Sequence, residues 1–522
     1  MASRANLVNL DAMIKRADFA SEESEESLFE NVSTISVRDF TKGGLIGPSL
    51  RKPDFQRETN HWNPQQVISL LECFTSGDLI PSVILWQSPT FLFVIDGGHR
   101  LSVLRAWIED DYGDGPLSQA YFGGEISKEQ KKIAEKTRSL VNNSIGSWQH
   151  FQAKLESDEL DTSERKKVNA IISRGLPIQW VKGDADKAES SFFKINTKGT
   201  PLDEIEELLL KSRKRPISIA ARAIIRSGKG HKYWSAFDEQ KSQQIEEHAK
   251  SLHQILFEPE IKRPVKTLDL PLGGSKGVRT ALQVLIEFLL ISNRNQQGDP
   301  KDVYGMPEDQ SGDGTVEALR KGIKLAARIT GNDKGSLGLH PAVYFYGPSG
   351  RHSSPMFMGT VKLIGSKLAN NDSLFFVKVT RVRQELERIL VENKDLIATI
   401  LQKNMSAKRT DVYATLLEKI INNLDSSTDI NEQFLIDSSG LRGKLIVGSA
   451  EYSGKKFSDD AKSQAFIYTA LASAMKCPIC NGYLDPEKSV SYDHVVRARE
   501  DGKGDSGNCQ LTHPYCNQSI KQ

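Results

Sequence analysis

Four of the five cysteines crowd the last stretch of the 522-residue chain, CPICNGYLDPEKSVSYDHVVRAREDGKGDSGNCQLTHPYCNQSIKQ. Cys477 and Cys480 form a C-x2-C knuckle, and His513 and Cys516 form an H-x2-C knuckle. Two such knuckles place four soft or borderline donors on adjacent turns, a set that suits tetrahedral zinc. Clustering at two-residue gaps favours a metal over disulfides; Cys73 stands apart in a helical pattern. Between the knuckles Asp493 and His494 adjoin at the end of a strand-like run, a glycine-rich loop carries Asn508, and Asn517 follows the last cysteine. Phosphodiester hydrolysis needs a base near neutral pKa, which imidazole supplies. It also needs a hard cation, which Asp and Asn oxygens hold while leaving water positions open. A structural zinc ribbon, the plainer reading, requires the knuckles but not Asp-His, Gly-Asn and Cys-Asn together.

A second concentration lies at Asp96, Gly97, Gly98, His99 and Arg100. Upstream, FLFVI reads as a strand; downstream, Leu101, Leu104 and Ile108 fall at helical spacing. Strand, glycine turn and helix together make a place where backbone N–H groups at a helix start can hold phosphate. The plain alternative is a glycine turn with a surface arginine.

The elements that must position these groups follow from punctuation and periodicity. NPQQVISLLECFTSG has the Asn start, early Pro and closing Gly of a helix; PSVILW and LPIQWV read as strands; SKEQKKIAEK and ADKAESSFFKIN read as helices. From Leu202 to about Ile430 most of the text is helical in period, interrupted at SGKGHKYW, LPLGGSKG and NRNQQGDPKD. HPAVYFYGPSG and the following MFMGTVKLI suggest a buried loop or strand pair, and RVRQELERIL reads as amphipathic core packing. The segment up to about Glu30, with its SEESEESLFE, reads as a mobile or weakly helical acidic arm. A composition of 38% hydrophobic and 26% charged residues with mean hydropathy −0.42 is that of a soluble globular chain. No apolar run reaches the roughly 20 residues of a membrane span, and no signal peptide is legible, so the expectation is cytoplasmic with no membrane partner. With 69 Lys and Arg against 67 Asp and Glu, contact with nucleic acid must come from local patches.

Over roughly residues 470 to 522 the chain resembles the HNH nuclease family, a ββα-metal fold, in its zinc-stapled form. The resemblance implies that His494 is the general base, that Asp493 and Asn517 hold a divalent Mg2+ or Mn2+, and that Asn508 orients the loop behind the histidine. Structural zinc then falls to Cys477, Cys480, His513 and Cys516, with His513 where the family commonly has Cys. Cys509 stands at a usually apolar position and is expected to be a small buried side chain. Over roughly residues 30 to 215 the chain resembles the ParB/sulfiredoxin-like nucleotidase domain of GmrSD- and SspE-type modification-dependent restriction proteins. By position the Gln-Arg motif falls on Gln56 and Arg57, the D-G-Q-x-R motif on Asp96, Gly97 and Arg100, and F-x-x-x-N on Phe192 and Asn196. Gly98 replaces the usual Gln, and GGHR is closer to the G-C-H-R of sulfiredoxin with its reactive cysteine gone. The resemblance implies a nucleotide site made by Gln56, Arg57, Asp96, Gly97, Gly98, His99, Arg100 and Asn196, with Arg57 and Arg100 clamping phosphate.

The expected architecture is α+β and multidomain: an acidic arm over 1–30, a ParB/sulfiredoxin-like α+β nucleotidase domain over 31–215, a helical connector over 216–440 and the HNH domain over 441–522. The expected function is a metal-dependent DNA endonuclease or nickase under nucleotide control, acting on double-stranded foreign DNA, including modified phage DNA, with a homo-oligomer left open. The rivals are a nucleotide-switched DNA-binding protein with an inactive HNH remnant, and an enzyme that mainly hydrolyses NTP.

Overall fold

The computed structural model describes the chain outside residues 1–6, 18, 20–31, 42, 45, 54, 55, 57, 58, 61, 125, 157–160, 199–203, 230, 231, 276, 277, 295–301, 428, 443–455 and 522, and describes the backbone alone at 155, 156, 163, 164, 167, 186, 193, 196–198, 206, 278 and 279. Two compact units emerge, Met1–Arg213 with Lys229–Tyr233, and Lys214–Gly228 with Trp234–Gln522.

The first unit is built on a mixed sheet of β1 (Arg16–Ala17), β2 (Thr34–Ser36), β3 (Leu50–Pro53), β4 (Val83–Gln87), β5 (Leu92–Asp96) and β6 (Gly175–Val181). Its order is β1-β3-β5-β4-β6-β2. β4 runs antiparallel to β5 and parallel to β6, while β3 is parallel to both β1 and β5. Both faces are covered, and the pleat sorts the side chains. Leu92 and Val94 of β5 join the core under the helices Pro64–Ser76 and Gly98–Glu109. Phe93 and Ile95 join the opposite core with Ala188 and Phe192 of the helix Ala185–Lys198. Sequence punctuation sets the helix ends. Asn63 and Gln66 cap each other reciprocally at 3.0 Å, Pro64 occupies the first turn, and Gly77 closes the helix at φ 87°.

The opening segment departs from the expected arm. Val8, Leu10, Met13 and Ile14 are buried in the core, and β1 extends the sheet. Asp11 can be buried there because it is saturated: Oδ1 accepts from Arg16 (2.9 Å), Lys52 (2.7 Å) and Thr59 N (3.1 Å), and Oδ2 accepts from the Tyr121 hydroxyl (2.7 Å). The acidic SEESEESLFE stretch lies outside the described residues.

The second unit is mostly helical, including Glu239–Phe257, Asp313–Ile329, Ser354–Ala369, Ser373–Glu392 and Arg409–Asp425. Among the described residues no helix is long and apolar enough to cross a membrane. The expected loop or strand pair at HPAVYFYGPSG and MFMGTVKLI is instead a short helix Pro341–Tyr344, a single Tyr346–His352 bridge and the helix Ser354–Ala369. That helix is apolar around much of its surface because it is enclosed by neighbours, which blurs its period. Gly359 lets one neighbour in: a Cβ there would stand 2.8 Å from Thr410 O. The unit ends in a hairpin of β7 (Ser491–His494) and β8 (Cys509–Thr512), followed by the turn Cys516–Ile520.

Candidate functional site

Cys477, Cys480, His513 and Cys516 are all buried, and their donor atoms lie within 4.8 Å of one another. His513 Nδ1 is 3.3 Å from Cys480 Sγ and 3.8 Å from Cys516 Sγ. Its Nε2 lies 2.9 Å from Tyr483 O and donates to it, so the unprotonated Nδ1 faces the sulfurs. Burial pushes the His513 imidazolium down, and a neutral ring is what a metal takes. Crowding makes the thiols compete for protons. Hydrogen bonds from Cys480 and Cys516 draw Cys477 far down, whereas the contact with Cys477 pushes Cys480 up to about 11 and Cys516 far up. Donor types, spacing and burial fit one tetrahedral zinc.

The cluster is fastened to the helical body by groups that the sequence reading took as ordinary core. Arg383, fully buried on Ser373–Glu392, donates to Gly338 O at 2.8 Å and to Leu337 O, and pairs with Glu387 at 2.7 Å. Glu387 in turn accepts from Tyr483 N (2.6 Å) and the Tyr344 hydroxyl (3.0 Å). Approach is close: a Cβ on Gly482 would stand 2.5 Å from Arg383 Nε, and one on Gly338 would stand 2.8 Å from the His513 ring. The only legible signal was an Arg and a Glu four apart on an otherwise apolar stripe.

The hairpin brings the expected nuclease residues together. In register, Asp493 lies opposite Gln510 and His494 opposite Cys509. Strand alternation turns Asp493 inward, 8% exposed, and His494 outward. Asp493 Oδ2 accepts from Gln510 Nε2 and from Lys521 Nζ, both at 2.7 Å, and Lys521 also donates to His494 O. The His494 ring makes no hydrogen bond among the described residues and is exposed. Asn508 ties down the loop that follows: Nδ2 donates to Val496 O (3.0 Å) and Lys503 O (2.7 Å), and Oδ1 accepts from Val496 N (2.6 Å). Asn517 Nδ2 donates to Ser491 Oγ (2.8 Å) and Tyr492 O (3.1 Å), on the strand that carries Asp493. Cys509, expected buried, is exposed, because cross-strand pairing with His494 places it on the open face of the hairpin. Gln510 was missed, since a lone Gln on a strand carries no spacing signal.

In the first unit, Gln56, Asp96, Gly97, Gly98, His99, Arg100 and Phe192 share a cavity of about 200 Å3 with Thr59, Trp62 and Ile95. Gly97 caps the following helix at φ 93°, a conformation that favours glycine. The His99 ring stacks on Trp62 with centroids 5.4 Å apart. Arg100 is not an open clamp: its Nη2 donates to Asp96 at 2.7 Å and to Ser82 O at 3.1 Å. Arg57 lies outside the described residues, and Asn196 is described by its backbone alone, in the helix Ala185–Lys198.

Residues 37–213 match a known family, the GmrSD restriction endonuclease N-terminal domain. The match spans the sheet from just after β2 through β6 and takes in every cavity residue named above. It supports a restriction-endonuclease type of protein with DNA as partner. No curated protein and no solved structure matches the chain.

Proposed function

We propose that the chain is a metal-dependent HNH-type DNA endonuclease or nickase, governed by a nucleotide bound in its N-terminal domain and serving restriction of foreign DNA, modified phage DNA included. The observation that carries this reading is the neighbouring pair on β7, a buried Asp493 and an open His494, on a hairpin whose ends are gathered by the four-donor cluster. His494 takes the proton from the attacking water, and Asn508 keeps the loop after it in place. Zinc would be held by Cys477, Cys480, His513 and Cys516, and a divalent Mg2+ or Mn2+ by Asp493 with Asn517. That cation, when bound, stabilises charge on the phosphate and the leaving oxygen. In the first unit, the N–H groups at the start of Gly98–Glu109 would meet nucleotide phosphate, and the Arg100 guanidinium would join them by exchanging its bond to Asp96.

One contact favours the rival of an inactive remnant: Lys521 already neutralises Asp493, so a divalent ion must share or displace that ammonium. Plasmid cleavage by the full chain with and without Mg2+ or Mn2+, and with each NTP, separates the readings. Cleavage that needs the cation and is lost in His494→Ala supports the nuclease; DNA binding without cleavage supports the remnant.

A further inference from the structure

Gln56 is 8% exposed and stands on the cavity wall. Its amide nitrogen is already committed, donating to Val94 O at 3.1 Å and Ile95 O at 3.3 Å. Turned the other way, the amide would set its oxygen against two carbonyl oxygens, so the network decides which end is which. Oε1 therefore faces Gly98, 3.5 Å from where a Cβ on that glycine would stand. It is buried and has no hydrogen-bond partner among the described residues. The backbone is fixed as well: Gln56 N donates to Pro53 O at 3.0 Å, and the buried Arg16 guanidinium donates to Gln56 O.

We propose that Gln56 is the specificity-determining residue of this cavity, a fixed hydrogen-bond acceptor that selects a group carrying O–H or N–H and turns phosphate oxygens away from its wall. The inference rests on the nucleotide reading and sharpens it. A buried acceptor is costly until a donor meets it. Phosphate oxygens at neutral pH are acceptors, so they belong at the helix start and Arg100 instead. At about 200 Å3 the cavity falls below the roughly 300 Å3 at which small-molecule pockets begin, so it encloses part of a nucleotide. The donor is then a sugar hydroxyl or a base amine. Gly98 leaves open the space that either of these would fill.

The test is titration calorimetry of the full chain with ATP and GTP, their 2′-deoxy and 3′-deoxy forms, and inosine triphosphate, alongside a crystal structure grown without nucleotide. If a sugar or base donor is read, one analogue binds the wild type about tenfold or more weakly than its parent, and Gln56→Met binds both alike. If every analogue binds the wild type as its parent does, Gln56 selects nothing on the nucleotide and the proposal is overturned, even with a water about 2.6–3.2 Å from Oε1. An analogue loss of equal size in wild type and Gln56→Met overturns the proposal, as does a crystal in which the amide nitrogen faces the cavity. Should the wild type bind none of these nucleotides, the nucleotide reading falls, and the nucleotide-free crystal alone decides the orientation of Gln56.

Discussion

Removing the Glu387 carboxylate tests how the Cys/His cluster is joined to the helical body. In Glu387→Ala the fully buried Arg383 loses its only carboxylate partner among the described residues, at 2.7 Å, and Tyr483 N and the Tyr344 hydroxyl lose their acceptor. Breaking a buried pair by deleting one member costs about 3–5 kcal/mol, because the remaining charge stays uncompensated. Each orphaned donor adds to that, against a total stability of roughly 5–15 kcal/mol for a domain. Tyr483 O also holds the Nε2 of His513, so loss of the Tyr483 N bond loosens the ring that supplies Nδ1 to the cluster. The expected result is a urea midpoint shift worth at least about 3 kcal/mol together with faster zinc release to a chromophoric chelator. Arg383→Met/Glu387→Met, which removes both charges, should recover part of the loss and no more, since Gly338 O and Tyr483 N still go without partners. A Glu387→Ala protein within about 1 kcal/mol of wild type, with unchanged zinc release, would mean that Glu387 does not fasten the cluster.

Elemental analysis should find one zinc per chain in the wild type and none in Cys477→Ser or Cys516→Ser, which should also lose protease resistance of residues 477–522; retention of zinc in either variant contradicts the ligand set. Burial raises Asp485 to about 6, above the roughly 3.9 of an unfolded chain, so folding favours its protonated form and stability falls as pH rises from about 4 to about 6. Asp485→Asn should therefore flatten that stretch of the stability–pH curve and be more stable than wild type at pH 7, by denaturant titration. Gly97→Ala should cost about 1–3 kcal/mol, since φ is 93° and its Cβ would stand 3.1 Å from the Val83 side chain, whereas Gly98→Ala, 3.5 Å from Gln56, should cost under about 1 kcal/mol; equal thermal shifts would be the wrong answer.

Punctuation and strong donors were legible in the sequence. The helix Pro64–Ser76 ends where Asn63 and Gly77 say it does, and the strand, turn and helix around Asp96–Arg100 form as read. The C-x2-C and H-x2-C knuckles meet because cysteine and histidine at such gaps carry their chemistry in their spacing. What was not legible depends on partners distant in sequence. Val8, Leu10 and Met13 looked like part of an acidic arm until β1 was seen beside β3, and Asp11 is tolerable inside only because Arg16, Lys52 and Tyr121 converge on it. Likewise Arg383 and Glu387 resemble any amphipathic pair until Gly338 and Tyr483 are placed against them. The helix Ser354–Ala369 was missed because enclosure by its neighbours erases the polar stripe that reveals a helix.

Cleavage of plasmid and phage DNA by His494→Ala beside wild type, with Mg2+ or Mn2+ present and zinc content and folding verified in both, decides whether His494 is the general base of a nuclease. A general base acts on water and does not hold the hairpin together, and the His494 ring makes no hydrogen bond among the described residues, so the variant should keep its zinc and its denaturation midpoint. Its cleavage rate should fall by about 10²-fold or more. Cleavage at the wild-type rate in that variant, or no cation-dependent cleavage by the wild type on any DNA, would contradict the account.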